Sequence, residues 1–323
     1  MKVLVTGGAG YVGAELVDEL LAAGHEVRAL DVLLHGQEDV AARLDSLGVE
    51  LQRGDVRDPE ARKAALEGVD AVVHLAAIVG DPACGRDPEL SNAVNVEGTR
   101  DLVADARAAG VERFLFASTC SNYGRMADPT VPIDETGELR PVSLYAEQKV
   151  AMEKSLLEGE HNGMSPTCLR FATVYGVGHR MRFDLTVNEF TRDLWADKKL
   201  DVFGETFWRP YVHVRDAARA VALVLASPIE KVKGRVFNAG HSDENYRKLD
   251  LVEIITERLG RGDVEYVSRS EDPRDYKVSF ERIKDELGFE PVNRVPTGID
   301  ELVGALEEKR FGDPFQSRYS NIG

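Results

Sequence analysis

Apolar positions along the chain switch between two periods. Val3, Leu4 and Val5 form a short β-branched run, read as a buried strand. Gly7, Gly8, Gly10 and Gly13 follow at once. Val12, Leu16, Val17, Leu20 and Leu21 then recur at helical spacing until Gly24 stops them. The change of period repeats. Residues 27–30 read as a second strand ending at Asp31, and residues 50–56 as a third that runs into a turn. Asp58-Pro59-Glu60 opens a helix with a cap, a first-turn proline and an early acid. Residues 70–77, DAVVHLAA, form a buried strand that ends in small side chains. A loop over 78–88, a helix over 89–109, a strand over 113–118 and a compact polar turn over 119–124 come next. Residues 128–141 are rich in proline and acid and read as a surface excursion. A helix carrying Tyr145, Lys149 and Met152 and a strand over 164–171 continue the alternation. Strands alternating with helices imply a parallel, doubly wound sheet.

After Gly176 the pattern loosens. Helical stretches cover 184–196, 248–259, 279–287 and 294–310, with an alanine-rich helix starting at Asp216. Short strands fall at 200–203, 208–214 and 236–239, and a mixed polar and aromatic tail begins at Gly312. The expected fold class is α/β. Residues 1–176 make the doubly wound domain, and residues 177–323 are mainly a smaller substrate-binding domain, some segments of which can return to the first sheet.

Composition narrows the class. The chain has 323 residues, of which 43% are apolar and 30% charged, ordinary for a globular protein. Its net charge of −16 argues against nonspecific binding to nucleic acid or an anionic membrane. An anionic small ligand is still allowed, because local arginines and helix ends set the field inside a cleft. Cys84, Cys120 and Cys168 are far apart and odd in number, so neither a disulfide framework nor a cysteine metal site is expected. The chain enters a strand without a charged leader, and no apolar run reaches membrane-spanning length, so the expected location is the cytoplasm.

Strand, glycine turn and helix in that order are the context of a dinucleotide cradle. Glycine permits the tight turn, and the helix N-terminus offers free N–H groups to a pyrophosphate. The spacing here is Gly7-x-x-Gly10-x-x-Gly13. Asp31 lies 18 residues beyond Gly13, suited to the adenine-ribose hydroxyls and repelling the 2′-phosphate of NADP. Asp55 and Val56 are placed to flank an adenine ring. His74, inside an apolar run, is read as structural. Tyr145 and Lys149 are an i,i+4 pair on one helix face. A tyrosine needs an adjacent cation to populate phenolate near neutral pH, and Lys149 can supply it. Thr119 follows a strand and can donate to a substrate hydroxyl or forming oxyanion. The set suits proton removal from an alcohol coupled to hydride transfer.

With these motifs in hand, the chain resembles the extended short-chain dehydrogenase/reductases, within the NAD-dependent nucleotide-sugar epimerase/dehydratase family. The resemblance rests on TGGAGYVG at 6–13, Asp31, GDVRD at 54–58, HLAA at 74–77, NVEGT at 95–99, ASTCSNYG at 117–124, YAEQK at 145–149, LRFATVYG at 169–176 and RPYVHVRD at 209–216. It implies a Rossmann domain holding NAD and a C-terminal portion closing over a nucleoside-diphosphate sugar, in a homodimer. The NAD contacts it implies are Gly7, Gly10, Tyr11, Val12, Gly13, Asp31, Asp55, Val56, Leu75, Ala76, Ala77, Asn95, Tyr145 and Lys149. The sugar's 4-hydroxyl would lie between Thr119 and Tyr145, and a 4-keto intermediate would let a 4-epimerase invert that carbon.

Departures from the family pattern shape the reaction. The 4,6-dehydratases carry an Asp-Glu pair directly after the catalytic threonine, where this chain has Cys120-Ser121, so an ordinary 4,6-dehydratase is disfavoured. Cys120 is either a small filler or an acid or base in its own right, which would open 3,5-epimerisation or an unusual elimination. Many 4-epimerases have Asn where Thr173 stands. Arg209 and Arg274 resemble the paired diphosphate-binding arginines. Cys84, Ser121, Arg180, Arg182 and Asn188 complete the expected substrate contacts. The leading expectation is a nucleotide-sugar 4-epimerase. A 4-ketoreductase is the alternative among enzymes, and a non-catalytic NAD-binding regulator the alternative outside them.

Overall fold

The apolar run at the start of the chain becomes β1 (Lys2–Thr6), an interior strand of the main sheet. The structure, a computed structural model, describes residues 1–267 and 274–322. The strands that follow are β2 (Glu26–Asp31), β3 (Glu50–Arg53), β4 (Ala71–His74), β5 (Arg113–Thr119), β6 (Ser165–Phe171), β7 (Thr173–Tyr175), β8 (Leu200–Phe203), β9 (Trp208–His213), β10 (Arg235–Ala239), β11 (Asn245–Arg247) and β12 (Val264–Val267). Seven of them form one sheet in the order β10-β6-β5-β4-β1-β2-β3, every pair parallel. The winding reverses between β1 and β4, which opens a crevice at the carboxyl ends of the strands.

Side chains of β1 alternate between two apolar layers. Val3 and Val5 join the layer covered by helices Tyr11–Ala22 and Val214–Ala226, while Leu4 joins the layer of Leu102, Phe114 and Met152. A parallel sheet must be covered on both faces, which explains why its strands read as near-continuous apolar runs. The alanine-rich helix Val214–Ala226 packs on helix Tyr11–Ala22, and β10 pairs with β6, so two segments beyond residue 176 lie in the sheet domain. The remaining C-terminal segments build a third apolar cluster around Tyr175, Phe183, Leu251 and Ile299. They also carry the small sheets β11-β9-β7 and β12-β8. Among the described residues no helix is long and apolar enough to cross a membrane.

Several local expectations change. The loop over 78–88 contains a helix, Asp81–Arg86. The helix over 89–109 is continuous in path but winds as a π-helix over Ala93–Gly98. The polar turn after β5 is a 3₁₀ helix, Cys120–Tyr123. The excursion over 128–141 is tied down: Ile133 bridges Val278, and the carboxylate of Glu135 accepts from the Asn238 N–H at 2.7 Å. The tail folds back, with the Phe183 N–H donating to the Tyr319 carbonyl at 2.7 Å.

Candidate active site

A cavity of about 600 Å³ opens at the carboxyl edge of the sheet, between the sheet domain and the C-terminal segments. Gly7, Gly10, Tyr11, Val12 and Gly13 floor it at the end of β1. Gly7 adopts φ +75°, and a Cβ there would sit 2.9 Å from the Ala76 nitrogen. A Cβ on Gly13 would overlap the Gly7 carbonyl. The turn therefore needs both glycines to keep its backbone open to a ligand.

Asp31, at the end of β2, lines the same cavity. Its carboxylate accepts from the Ala9 N–H at 2.9 Å and the Leu33 N–H at 2.8 Å. Burial raises its pKa, and those two N–H groups work against the rise. Asp55 and Val56 beyond β3, and Leu75, Ala76 and Ala77 beyond β4, also line it. His74 lies beneath, buried between the Thr6 and Thr99 hydroxyls at 2.7 and 2.9 Å. Burial drives its pKa down to about 3, so it is neutral and holds β4 in place.

Thr119, Tyr145 and Lys149 line the same cavity. Ser143 caps the helix Leu144–Glu158, which aims Tyr145 and Lys149 into the cavity one turn apart. The Lys149 ammonium donates to the Ala117 carbonyl at 2.7 Å and stands 5.8 Å from the centre of the Tyr145 ring. Burial lowers the Lys149 pKa to about 8 and raises that of the Tyr145 phenol. The charges of Arg182 and Arg274 pull the phenol back down. The Thr119 oxygen accepts from the Ser121 N–H at 3.1 Å, which leaves its O–H to donate elsewhere. Behind it, Glu153 and Arg170 form a buried ion pair that also holds Ser118, Asn122 and Tyr123.

Ser121, Thr173, Arg180, Arg182, Arg209 and Arg274 line the cavity as well. Arg274 spans it, contacting the Ser121 hydroxyl at 3.2 Å and Asp81 at 3.2 Å. Arg182 pairs with Asp184 at 2.7 Å. Arg57, Lys149, Arg180, Arg182, Arg209, Lys248 and Arg274 outnumber Asp31, Asp55, Asp81 and Asp184 along the wall. The site is locally cationic although the chain is acidic, which suits pyrophosphate.

Four expected contacts are corrected. Cys120 is 1% exposed and points into the core, donating to the Arg170 carbonyl at 3.2 Å. Burial pushes its thiol well above the ordinary range, and it does not line the cavity. Cys84 faces inward from its short helix and donates to the Ile78 carbonyl at 3.3 Å, while Asp81 and Pro82 take the cavity side. Asn95 sits in the π-helix and clamps the loop instead, accepting from the Ile78 N–H at 2.8 Å and donating to the Ile78 carbonyl at 3.0 Å. Asn188 donates to the Tyr11 hydroxyl at 3.1 Å and the Arg182 carbonyl at 2.8 Å, fastening the two halves behind the wall. Sequence reading missed His35, Gln37, Lys248, Tyr276, Asn321 and Ile322, all of which line the cavity. Nearness to Asp31 could have found His35 and Gln37. No local pattern marks the others.

Residues 3–240 match the profile of the NAD dependent epimerase/dehydratase family. A UDP-glucose 4-epimerase of Lactobacillus helveticus is 30% identical, covering 94% of this chain and 95% of that one. The UDP-glucose 4-epimerase of Thermus thermophilus, solved with NAD, is 30% identical with a TM-score of 0.83, covering 94% of this chain and all (100%) of that one. The enzyme of the same name from Thermotoga maritima, solved with UDP-glucose, is 27% identical with a TM-score of 0.85, covering 96% and 100%. Cradle, buried acid, Tyr-Lys pair and these matches agree, and the chain belongs to the NAD-dependent epimerase/dehydratase family.

Proposed function

We propose that the chain is an NAD-dependent epimerase that inverts C4 of a nucleoside-diphosphate sugar through a transient 4-keto intermediate. One observation carries the reading: Thr119, Tyr145 and Lys149 share one cavity with the glycine cradle and Asp31. The residues fit NAD. Gly7 and Gly13 leave the backbone open, and Asp31 is a fixed carboxylate for ribose hydroxyls. Asp55, Val56, Leu75, Ala76 and Ala77 supply the remaining wall on the cofactor side. Bound NAD supplies a reversible hydride acceptor.

The protein's own groups manage the proton. Lys149 holds a positive charge near the Tyr145 ring, which favours phenolate against the burial that opposes it. The Tyr145 oxygen takes the proton of the 4-hydroxyl and later returns it to the 4-keto oxygen. Thr119 donates to that oxygen throughout and stabilises its developing charge. Arg209 and Arg274 bind the sugar's diphosphate, with Ser121, Thr173 and Arg182 beside them. We assign NAD binding to residues 1–176 and sugar binding chiefly to 177–323, with helix Val214–Ala226 and β10 serving the first. The reading includes a cytoplasmic homodimer with no nucleic-acid partner. Family resemblance supports the dimer, the charge of −16 supports the lack of a nucleic-acid partner, and the lack of a membrane-spanning helix among the described residues is compatible with the cytoplasm; light scattering checks the assembly.

The test is a panel of UDP-, GDP-, CDP- and dTDP-sugars followed by NMR in deuterated water. C4 inversion without deuterium incorporation is expected. Deuterium at C3 or C5 points to another proton route, and a lasting requirement for reduced cofactor points to a ketoreductase. No product across the panel refutes the assignment.

A further inference from the structure

Four ties fasten residues 317–322 across the cavity. Tyr319 packs edge-on against Phe183 and Phe311, with ring centres 5.8 and 6.0 Å apart. Arg318 pairs at 2.6 Å with Asp39, on the helix that follows β2. The Asn321 N–H donates to Asp184 at 3.0 Å, the same carboxylate that holds Arg182. The Ile322 carbonyl accepts from Arg86, on the helix that follows β4. In the sheet, β4, β1 and β2 are consecutive neighbours. These ties link the element after β2 to the element after β4, the two strands that flank β1, and the glycine cradle at the end of β1 opens into the same cavity. Asn321 and Ile322 line that cavity as well.

Polar groups near these ties await a ligand. Arg180 is 5% exposed, and its Nε and Nη2 have no hydrogen-bond partner among the described residues. It lies close enough to Asp31 and Arg318 for their charges to act on it. The buried Asn321 Oδ1 likewise has no hydrogen-bond partner among them. Donors from Arg180 and an acceptor from Asn321 match the phosphates and ribose hydroxyls of a dinucleotide.

We propose that residues 317–322 form a strap that closes over bound NAD and slows its release, with Arg180 and Asn321 contacting the cofactor beneath it. The inference rests on the reading that this cavity holds NAD. The Arg318–Asp39 pair is exposed on both sides, so it contributes little alone. An element held by several weak ties can open as a unit without unfolding the domains. Such a strap suits a reaction with no net redox change, in which the cofactor need not exchange between turnovers.

The test compares the full chain with two variants: one ending after Gln316, and the full chain with Arg318→Glu and Asn321→Ala. Each is loaded with NAD and desalted, and the nucleotide appearing in the ultrafiltrate is followed with time. Release roughly tenfold faster or more is expected in both variants, as changes at a binding surface fall mainly on the off-rate. Adding excess NAD should restore sugar turnover. If shortening the chain lowers its melting temperature, the double variant decides. Unchanged release in the double variant overturns the strap. Because release is measured without sugar, that result leaves the epimerase reading standing, and failure of the sugar panel leaves the release measurement interpretable.

Discussion

Lys149→Met should make the protein more stable at neutral pH while abolishing turnover. Lys149 is 4% exposed, and burial lowers its pKa from 10.5 to about 8. A drop of about 2.5 units corresponds to roughly 3 kcal/mol spent holding the ammonium inside the fold. Methionine removes that charge and fills a similar volume. It also abandons the hydrogen bond to the Ala117 carbonyl, a loss of about 1 kcal/mol. The net expectation is a gain of about 2 kcal/mol at pH 7. The pH dependence gives a second handle. The folded value lies below the unfolded one, so between about pH 8 and 10.5 the unfolded chain binds more protons and wild-type stability climbs with pH. Below pH 8 the destabilisation is present in full. The methionine variant lacks this slope, so its advantage shrinks as pH rises and the two curves should cross before pH 10.5. Urea unfolding of nucleotide-free protein at several pH values measures both. A variant less stable than the wild type at neutral pH, with a parallel profile, refutes the account of a cation retained for Tyr145 against its burial.

Tyr145→Phe should abolish sugar turnover with NAD still bound and the melting temperature nearly unchanged, since only one hydroxyl is lost; persisting turnover refutes the proton role. Cys120→Ala should retain turnover, and its product should carry no solvent deuterium at C3 or C5, because the thiol faces the Arg170 carbonyl and not the cavity. Gly13→Ala should lose NAD in a desalting assay, as the added methyl overlaps the Gly7 carbonyl. Glu153→Gln leaves Arg170 buried without its counter-charge and should cost about 3–5 kcal/mol in urea unfolding; a loss below about 1 kcal/mol would show that the ion pair is dispensable to the turn carrying Thr119.

The cofactor half was legible because its signals are local. Asp31 reaches the cavity through chain order alone: it ends β2, and β2 lies beside β1. Tyr145 and Lys149 share a face because helical spacing requires it. The substrate side was legible in residue type but not in direction. Cys120 and Ser121 are consecutive, yet the 3₁₀ turn sends one into the core and the other into the cavity. Cys84 and Asp81 divide in the same way on a helix that the glycines and prolines of 78–88 had disguised as a loop. Asn95 and Asn188 are polar and well placed along the chain, but each is consumed by backbone partners.

By itself the sequence determined the alternating fold, the glycine cradle, the acid at the end of β2 and the Thr-Tyr-Lys set. Each depends on spacing within one strand, turn or helix. Only the tertiary structure decided which side chains face the cavity, which cations gather on its wall, and that residues 318–322 return to contact Asp39, Asp184 and Arg86. Those outcomes depend on contacts between segments hundreds of residues apart, such as Arg318 with Asp39, and no periodicity within either segment encodes them.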